Sequence, residues 1–210
     1  MAHVLNNDGV TALSQGDLVA ATMMLRNSLD RVQAPEDPGP LPETVEVLPT
    51  VVPLPCSVIE AQRTFSPHVT HVMYPKAICL PLNRISESDA VMVVLYNLGL
   101  ALHFRSYSMA KHKCLYKAKQ MYQLAAVHYA RLEDTPDSAI GPLVKMSTLA
   151  NLASVHAHFG EVDAARACHQ ALQELLLGSS GIYGTVPLSE HQTFLYLLQV
   201  ARPMNLPGAA

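Results

Sequence analysis

No stretch of this sequence is a phosphate-binding glycine loop, a dinucleotide fingerprint or a nucleophile elbow, which removes the common signatures of nucleotide and acyl-transfer chemistry. Tryptophan is absent, aromatic residues make up only 6%, and only 15% of the 210 residues carry charge. Half the residues are apolar, so the chain can bury a continuous core and wholesale disorder is excluded. The longest apolar run, Ala90 to Phe104, is interrupted by Asn97 and His103. It falls short of the roughly 20 residues that a membrane-spanning helix needs, and reads instead as a helix buried among neighbours. Cys56, Cys79, Cys114 and Cys168 form no C-x-x-C pair. Together with the lack of a hydrophobic leader after Met1, this gives the expectation of free thiols in a soluble cytoplasmic protein, with the nucleus as alternative.

What is present is uneven. Residues 1–60 hold eight acids and two bases, whereas Ala90 to Leu132 holds six bases and no acid. Ten of the fifteen prolines fall between residues 35 and 81. Each removes a backbone donor and clashes with the preceding turn, so no helix runs through PEDPGPLPETVEVLPTVVPLP. Its acidic first part reads as a loop. Val69 to Leu82 is rich in β-branched and aromatic residues and predicts a short strand or hairpin, held to an edge by Pro75 and Pro81. An insertion of this length should pack against the helices.

Around it, helical spacing marks pairs. Residues 1–34 give two helices broken at Gly16, with Asp17 placed to cap the second. Residues 87–132 give a pair opened by Ser86 or Ser88, its first helix ending near Arg105 and its second running from about Met109 to Leu132. Residues 140–177 give a pair with Pro142 in the first turn and a break at Gly160. Residues 188–203 give a last helix, with Ser189 and Gln192 spaced as a capping box, suited to cover the end of a stack. EDTPDSAIGP and GSSGIYGTVP are connections and PMNLPGAA a frayed tail. The expected fold is a single all-α-dominated domain of about three antiparallel helix pairs and a capping helix. A Pro-rich extended or short β insertion, residues 35–86, lies between the first and second pairs.

The units resemble tetratricopeptide repeats, whose pattern is W-x2-L-G-x2-Y, then Gly, then A-x3-F. The first unit offers Leu5, Gly9, Ala12, Gly16, Ala21, Leu25 and Ser28 at matching steps. The second offers Leu95, Leu98, Gly99 and Leu102, then Ala118, Tyr122 and Ala125 after about seven extra residues. The third offers Leu149, Leu152, Ala153, His156, Gly160, Ala165 and His169. The broken period and the extended insertion are also similar to divergent, uncharacterised repeat-like proteins of diatoms. The tetratricopeptide resemblance implies a right-handed superhelix whose first helices line a concave face, and a role in binding other proteins.

Aligned this way, Asn7, Asn97 and Asn151 occupy one step, two residues before the small residue of each first helix. An amide side chain can donate to and accept from a peptide main chain at once, which suits an extended-peptide groove. Farther along the same faces lie Val10 and Ser14, Leu100 and Phe104, and Ser154 and His158. Asn7, Asn97, Asn151, Phe104, Ser154 and His158 are therefore the candidate peptide-binding residues. The competing reading is that the asparagines bond backbone groups between adjacent helices and serve packing.

Arg105, Lys111, Lys113, Lys117 and Lys119 are the one concentrated positive field. They suit nucleic acid or acidic lipid, or simply form a solvated helix face. His68 and His71 have H-x-x-H spacing without a third ligand, so no metal site is expected. Cys114 lies among lysines that would activate it, but no base is placed beside it. The expectation is a non-enzymatic scaffold with no cofactor. Its partner is a protein or peptide, nucleic acid being disfavoured, and an exposed repeat end offers a surface for self-association.

Overall fold

A computed structural model describes residues 1–32, 50–55, 73–81, 85–130, 138, 140–178 and 186–201. The acidic loop, His68, His71, Cys56, the C-terminal tail and most of the two predicted connections lie outside the described residues. The described residues form seven helices and one two-stranded sheet. The helices are α1 (Ala2–Ser14), α2 (Leu18–Val32), α3 (Glu87–Met109), α4 (His112–Ala130), α5 (Gly141–His158), α6 (Val162–Gly178) and α7 (Leu188–Val200). The strands β1 (Thr50–Pro53) and β2 (Lys76–Cys79) come between α2 and α3 and pair antiparallel, Val51 opposite Ile78 and Val52 opposite Ala77.

Helices α1 and α2, α3 and α4, and α5 and α6 pack as three pairs, and the pairs stack through α2 on α3 and α4 on α5. Gly16 and Gly160 make two of the turns at φ +80° and +72°, a region that disfavours any side chain with a Cβ. Asp17 accepts the amide of Ala20, and Ser86 accepts the amide of Asp89, so the predicted caps at those helix starts form. Pro142 lies in the first turn of α5. Close approach within the pairs depends on glycine. A Cβ at Gly9 would lie 2.8 Å from Leu25 Cγ, and one at Gly99 would lie 2.7 Å from the Tyr122 ring.

Two local expectations are corrected. Helix α3 continues a turn past Arg105, to Met109, because Ser106 and Tyr107 are buried against the stack. The chain then reverses at Ala110, which adopts φ 51° without being glycine. Most of the extra length of the second unit is thus helix and not turn. The capping box at Ser189 does not form either. Pro187 occupies the cap position of α7, and Ser189 lies inside the helix with its hydroxyl turned to Glu190.

The core runs through all the pairs. Helix α3 is buried on every side from Asp89 to Phe104, as expected of an interior helix with an apolar run this long. Met73, Tyr74, Ala77, Ile78 and Leu80, from the Pro-rich insertion, belong to the same core. Residues 73–80 therefore lie in an extended line across α1, α3 and α5.

Candidate functional site: a row of amides on an extended strand

The three asparagines grip one strand. Asn151 accepts the amide of Tyr74 at 2.7 Å and donates to the Tyr74 carbonyl at 3.3 Å. Asn97 does the same for Ile78, at 3.0 and 2.7 Å. Asn7 does so for Leu80, at 2.8 and 2.9 Å. Each side-chain amide thereby takes the part of a residue in a neighbouring β-strand, offering one donor and one acceptor to one residue. Between Asn151 and Asn97, the Tyr96 hydroxyl donates to the Lys76 carbonyl at 2.7 Å. Residues 74, 76, 78 and 80 are thus all met on the helical side.

The alternation of a strand turns the odd-numbered residues the other way, to β1, where Leu54 N–H donates to the Pro75 carbonyl at 3.0 Å. The grips are unevenly spaced, four residues apart between Tyr74 and Ile78 and two between Ile78 and Leu80, or roughly 13 and 7 Å of strand. The strand runs from the third unit back to the first, so its two edges are satisfied by different means. Helix side chains serve one and β1 the other.

A polar layer supports the row. Asn97 donates to Asn6 Oδ1 at 3.0 Å, while Asn6 donates to Asn7 Oδ1 at 3.1 Å and to the Ile78 carbonyl at 3.3 Å. Asn151 also reaches the hydroxyl of Tyr122, at 3.3 Å. Burial, foremost, raises the phenol pKa values of Tyr96 and Tyr122 far above the usual range, so both remain neutral.

The aromatic end of the strand is anchored by α7. The Tyr74 ring stacks on Phe194 with centroids 4.6 Å apart. Its hydroxyl donates to Glu190 Oε2 at 2.5 Å, and Lys76 Nζ meets both Glu190 oxygens at 2.9 and 3.0 Å. Glu190 is 2% exposed, so this is a nearly buried carboxylate held by a phenol and an ammonium, with the Ser189 hydroxyl at 3.4 Å. Burial first, then the neighbouring Tyr96, raises the Tyr74 pKa, which keeps the phenol a donor.

The other three candidates lie elsewhere. Phe104 is fully buried in the stack, and Ser154 is buried with its hydroxyl bonded to Tyr107. His158 is half-buried, with Nε2 3.4 Å from His112 Nδ1 and its ring 6.4 Å from Tyr107. None of them appears among the strand's hydrogen-bond partners described above. They gather instead near Tyr107 and His103. Tyr96, Asn6, Glu190 and Phe194, which do touch the strand or the row, were missed. A polar residue immediately before the row's asparagine, Asn6 in the first unit and Tyr96 in the second, was the one available signal.

The basic residues differ in exposure and pairing. Lys111, Lys113 and Lys117 are exposed and Arg105 is half-buried. Lys119 pairs with Glu161 at 2.6 Å, close to the Phe159 ring. His156 also pairs with that carboxylate, and the two contacts, Lys119 first, lower the Glu161 pKa. Cys114 is half-exposed as a free thiol. Among the described residues no group of three or more His, Cys, Asp or Glu side chains could hold a metal ion, and no helix is long and apolar enough to cross a membrane.

His103 gives the fold a pH dependence. Its ring lies fully buried beside the hydroxyls of Tyr107, at 2.8 Å, and Tyr122, at 3.4 Å. Burial, with a smaller effect of His158, lowers its pKa to about 3. The unfolded chain takes up this proton near pH 6.5 and the folded chain does not. The stabilisation is therefore complete above pH 6.5 and declines as pH falls toward 3. From this group alone, unfolding free energy should drop by about 2 kcal/mol between pH 7 and pH 5. Urea titrations at the two pH values measure it, and a His103→Gln variant should lose most of the difference. An equal difference in that variant would assign the effect to other groups, such as the half-buried His158, whose pKa is also lowered.

No protein-family model, no curated protein and no solved structure matches this chain.

Proposed function

We propose that this protein is a non-enzymatic interaction scaffold whose concave helical face grips an extended segment of another protein. The observation that carries this reading is the paired grip of Asn7, Asn97 and Asn151 on the main chain of residues 74, 78 and 80. Those bonds address backbone groups, which every polypeptide has, so a partner's strand would meet the same donors and acceptors. The resemblance to tetratricopeptide repeats supports the same face. In this structure the face holds the chain's own strand, so the asparagines bond an extended main chain and not backbone groups of adjacent helices. The anionic-partner reading, through Arg105, Lys111, Lys113, Lys117 and Lys119, has less behind it, because Lys119 is already paired with Glu161.

Panning a random peptide library on the full chain tests the proposal. Selected peptides should bind nearly as well in half-molar salt as in dilute buffer, and several-fold more weakly to Asn7→Ala, whose half-exposed site tolerates the change. A steep loss of affinity with salt, indifferent to Asn7, would transfer the function to the basic helix. Failure to select any peptide would remove the reading altogether.

A further inference from the structure

The strand across α1, α3 and α5 reads as a ligand already in place, and its side chains specify what else could take its seat. The geometry points to a latent, self-occupied peptide site whose external ligand is an extended segment of the form aromatic–x–lysine–small–aliphatic–x–aliphatic. This rests on the reading of the face as a peptide groove, and adds the side-chain code and the competitor.

The code comes from five seats. The first is a flat slot between Phe194 and Glu190, filled by Tyr74, where a phenol both stacks and donates. Two residues on, Glu190 takes the ammonium of Lys76. Ala77 has no exposed surface, so its seat is one that a methyl group fills. Ile78 and Leu80 fill apolar seats at 0% and 2% exposure. Pro75 and Cys79, between them, are half-exposed and contribute little to selection.

Two features make the strand exchangeable. The helix pairs also contact one another directly, α2 on α3 and α4 on α5, so their stacking does not run through the strand alone. The row it would leave behind stays partly satisfied. Asn97 keeps Asn6, and Asn151 keeps the Tyr122 and Tyr96 hydroxyls, so a vacated groove is a hydrogen-bonded polar floor that water can enter. Because the internal strand is tethered, its effective concentration is of the order of millimolar, and an external ligand sees its affinity reduced by the fraction of open groove. Weakening the internal strand without touching the groove should therefore raise external affinity.

Lys76→Ala does this, leaving Glu190 in the groove to meet a lysine supplied from outside. The probe is a labelled synthetic peptide of residues 73–81 carrying Cys79→Ser. It should bind Lys76→Ala at least about tenfold more tightly than wild type. It should also speed alkylation of the chain's own Cys79, a free thiol that leaves with the strand, in wild type as well as in the variant. A Glu190→Lys chain should reject this probe and accept one in which its lysine is replaced by glutamate. Equal binding of a scrambled peptide would overturn the code while leaving a groove for extended chains. No binding and no change in Cys79 alkylation in either folded chain would overturn both. Dimers of Lys76→Ala that ignore the probe would assign the seat to a second copy of this chain and overturn the external ligand.

Discussion

Asn97→Ala should lower unfolding free energy by about 3 kcal/mol, and Tm by about 6–12 °C. Asn97 has no exposed surface and makes three bonds, two to Ile78 and one to Asn6. Alanine leaves the Ile78 amide buried against a small void that has lost its acceptor, and an unsatisfied buried donor costs about 1–3 kcal/mol before any packing loss. The Ile78 carbonyl keeps the longer bond from Asn6, so the amide carries most of the effect. Asn7→Ala, at a half-exposed position where water can replace the side chain, should cost about 1 kcal/mol. Urea unfolding of the two variants gives the comparison directly. Equal losses at both sites would mean that burial does not grade the row.

The second large effect is expected at Glu190. Glu190→Ala removes the acceptor of both Tyr74 and Lys76, leaving a buried hydroxyl and an ammonium that is 22% exposed. Breaking a buried pair from one side typically costs 3–5 kcal/mol, and the partial exposure of Lys76 places the expected loss at about 3 kcal/mol. It should appear first as faster hydrogen exchange in α7 and in residues 74–80, before the other helices are affected. The double variant Glu190→Leu with Lys76→Met should recover much of the loss, because it leaves no orphaned charge. If the double variant is no better than the single, the ion pair is not the source of the cost.

How much of this was legible depends on the range of the signal. The helix pairs rest on local features: Gly16, Gly160, Asp17, Ser86 and the apolar spacing all act within a few residues, and the structure follows them. Asn7, Asn97 and Asn151 could be set in register because each keeps the same offset from a small residue. What the register could not give was the object held. Tyr74 and Asn151 are 77 positions apart and Tyr74 and Glu190 are 116, and nothing in a proline-rich stretch announces which face it will cross. Phe104 and Ser154 share the apparent helix face, yet the neighbouring helices close over them. The turn at Ala110 lacked the glycine that marked the other two. It forms because the buried Ser106 and Tyr107 extend the helix before it, a tertiary effect that outweighs local preference.

The path of the strand also sets an order of assembly. Residues 74–80 are made before every helix of the second and third units, and their aromatic end is anchored by α7, the last described element. The helix pairs can close from neighbouring residues as soon as each is synthesised, whereas the strand must wait for partners up to 116 positions away. During synthesis the nascent chain therefore passes through a period in which the amide row is built but unoccupied at one end. A binding partner, or a chaperone that favours extended apolar segments, would find the strand at its most available then.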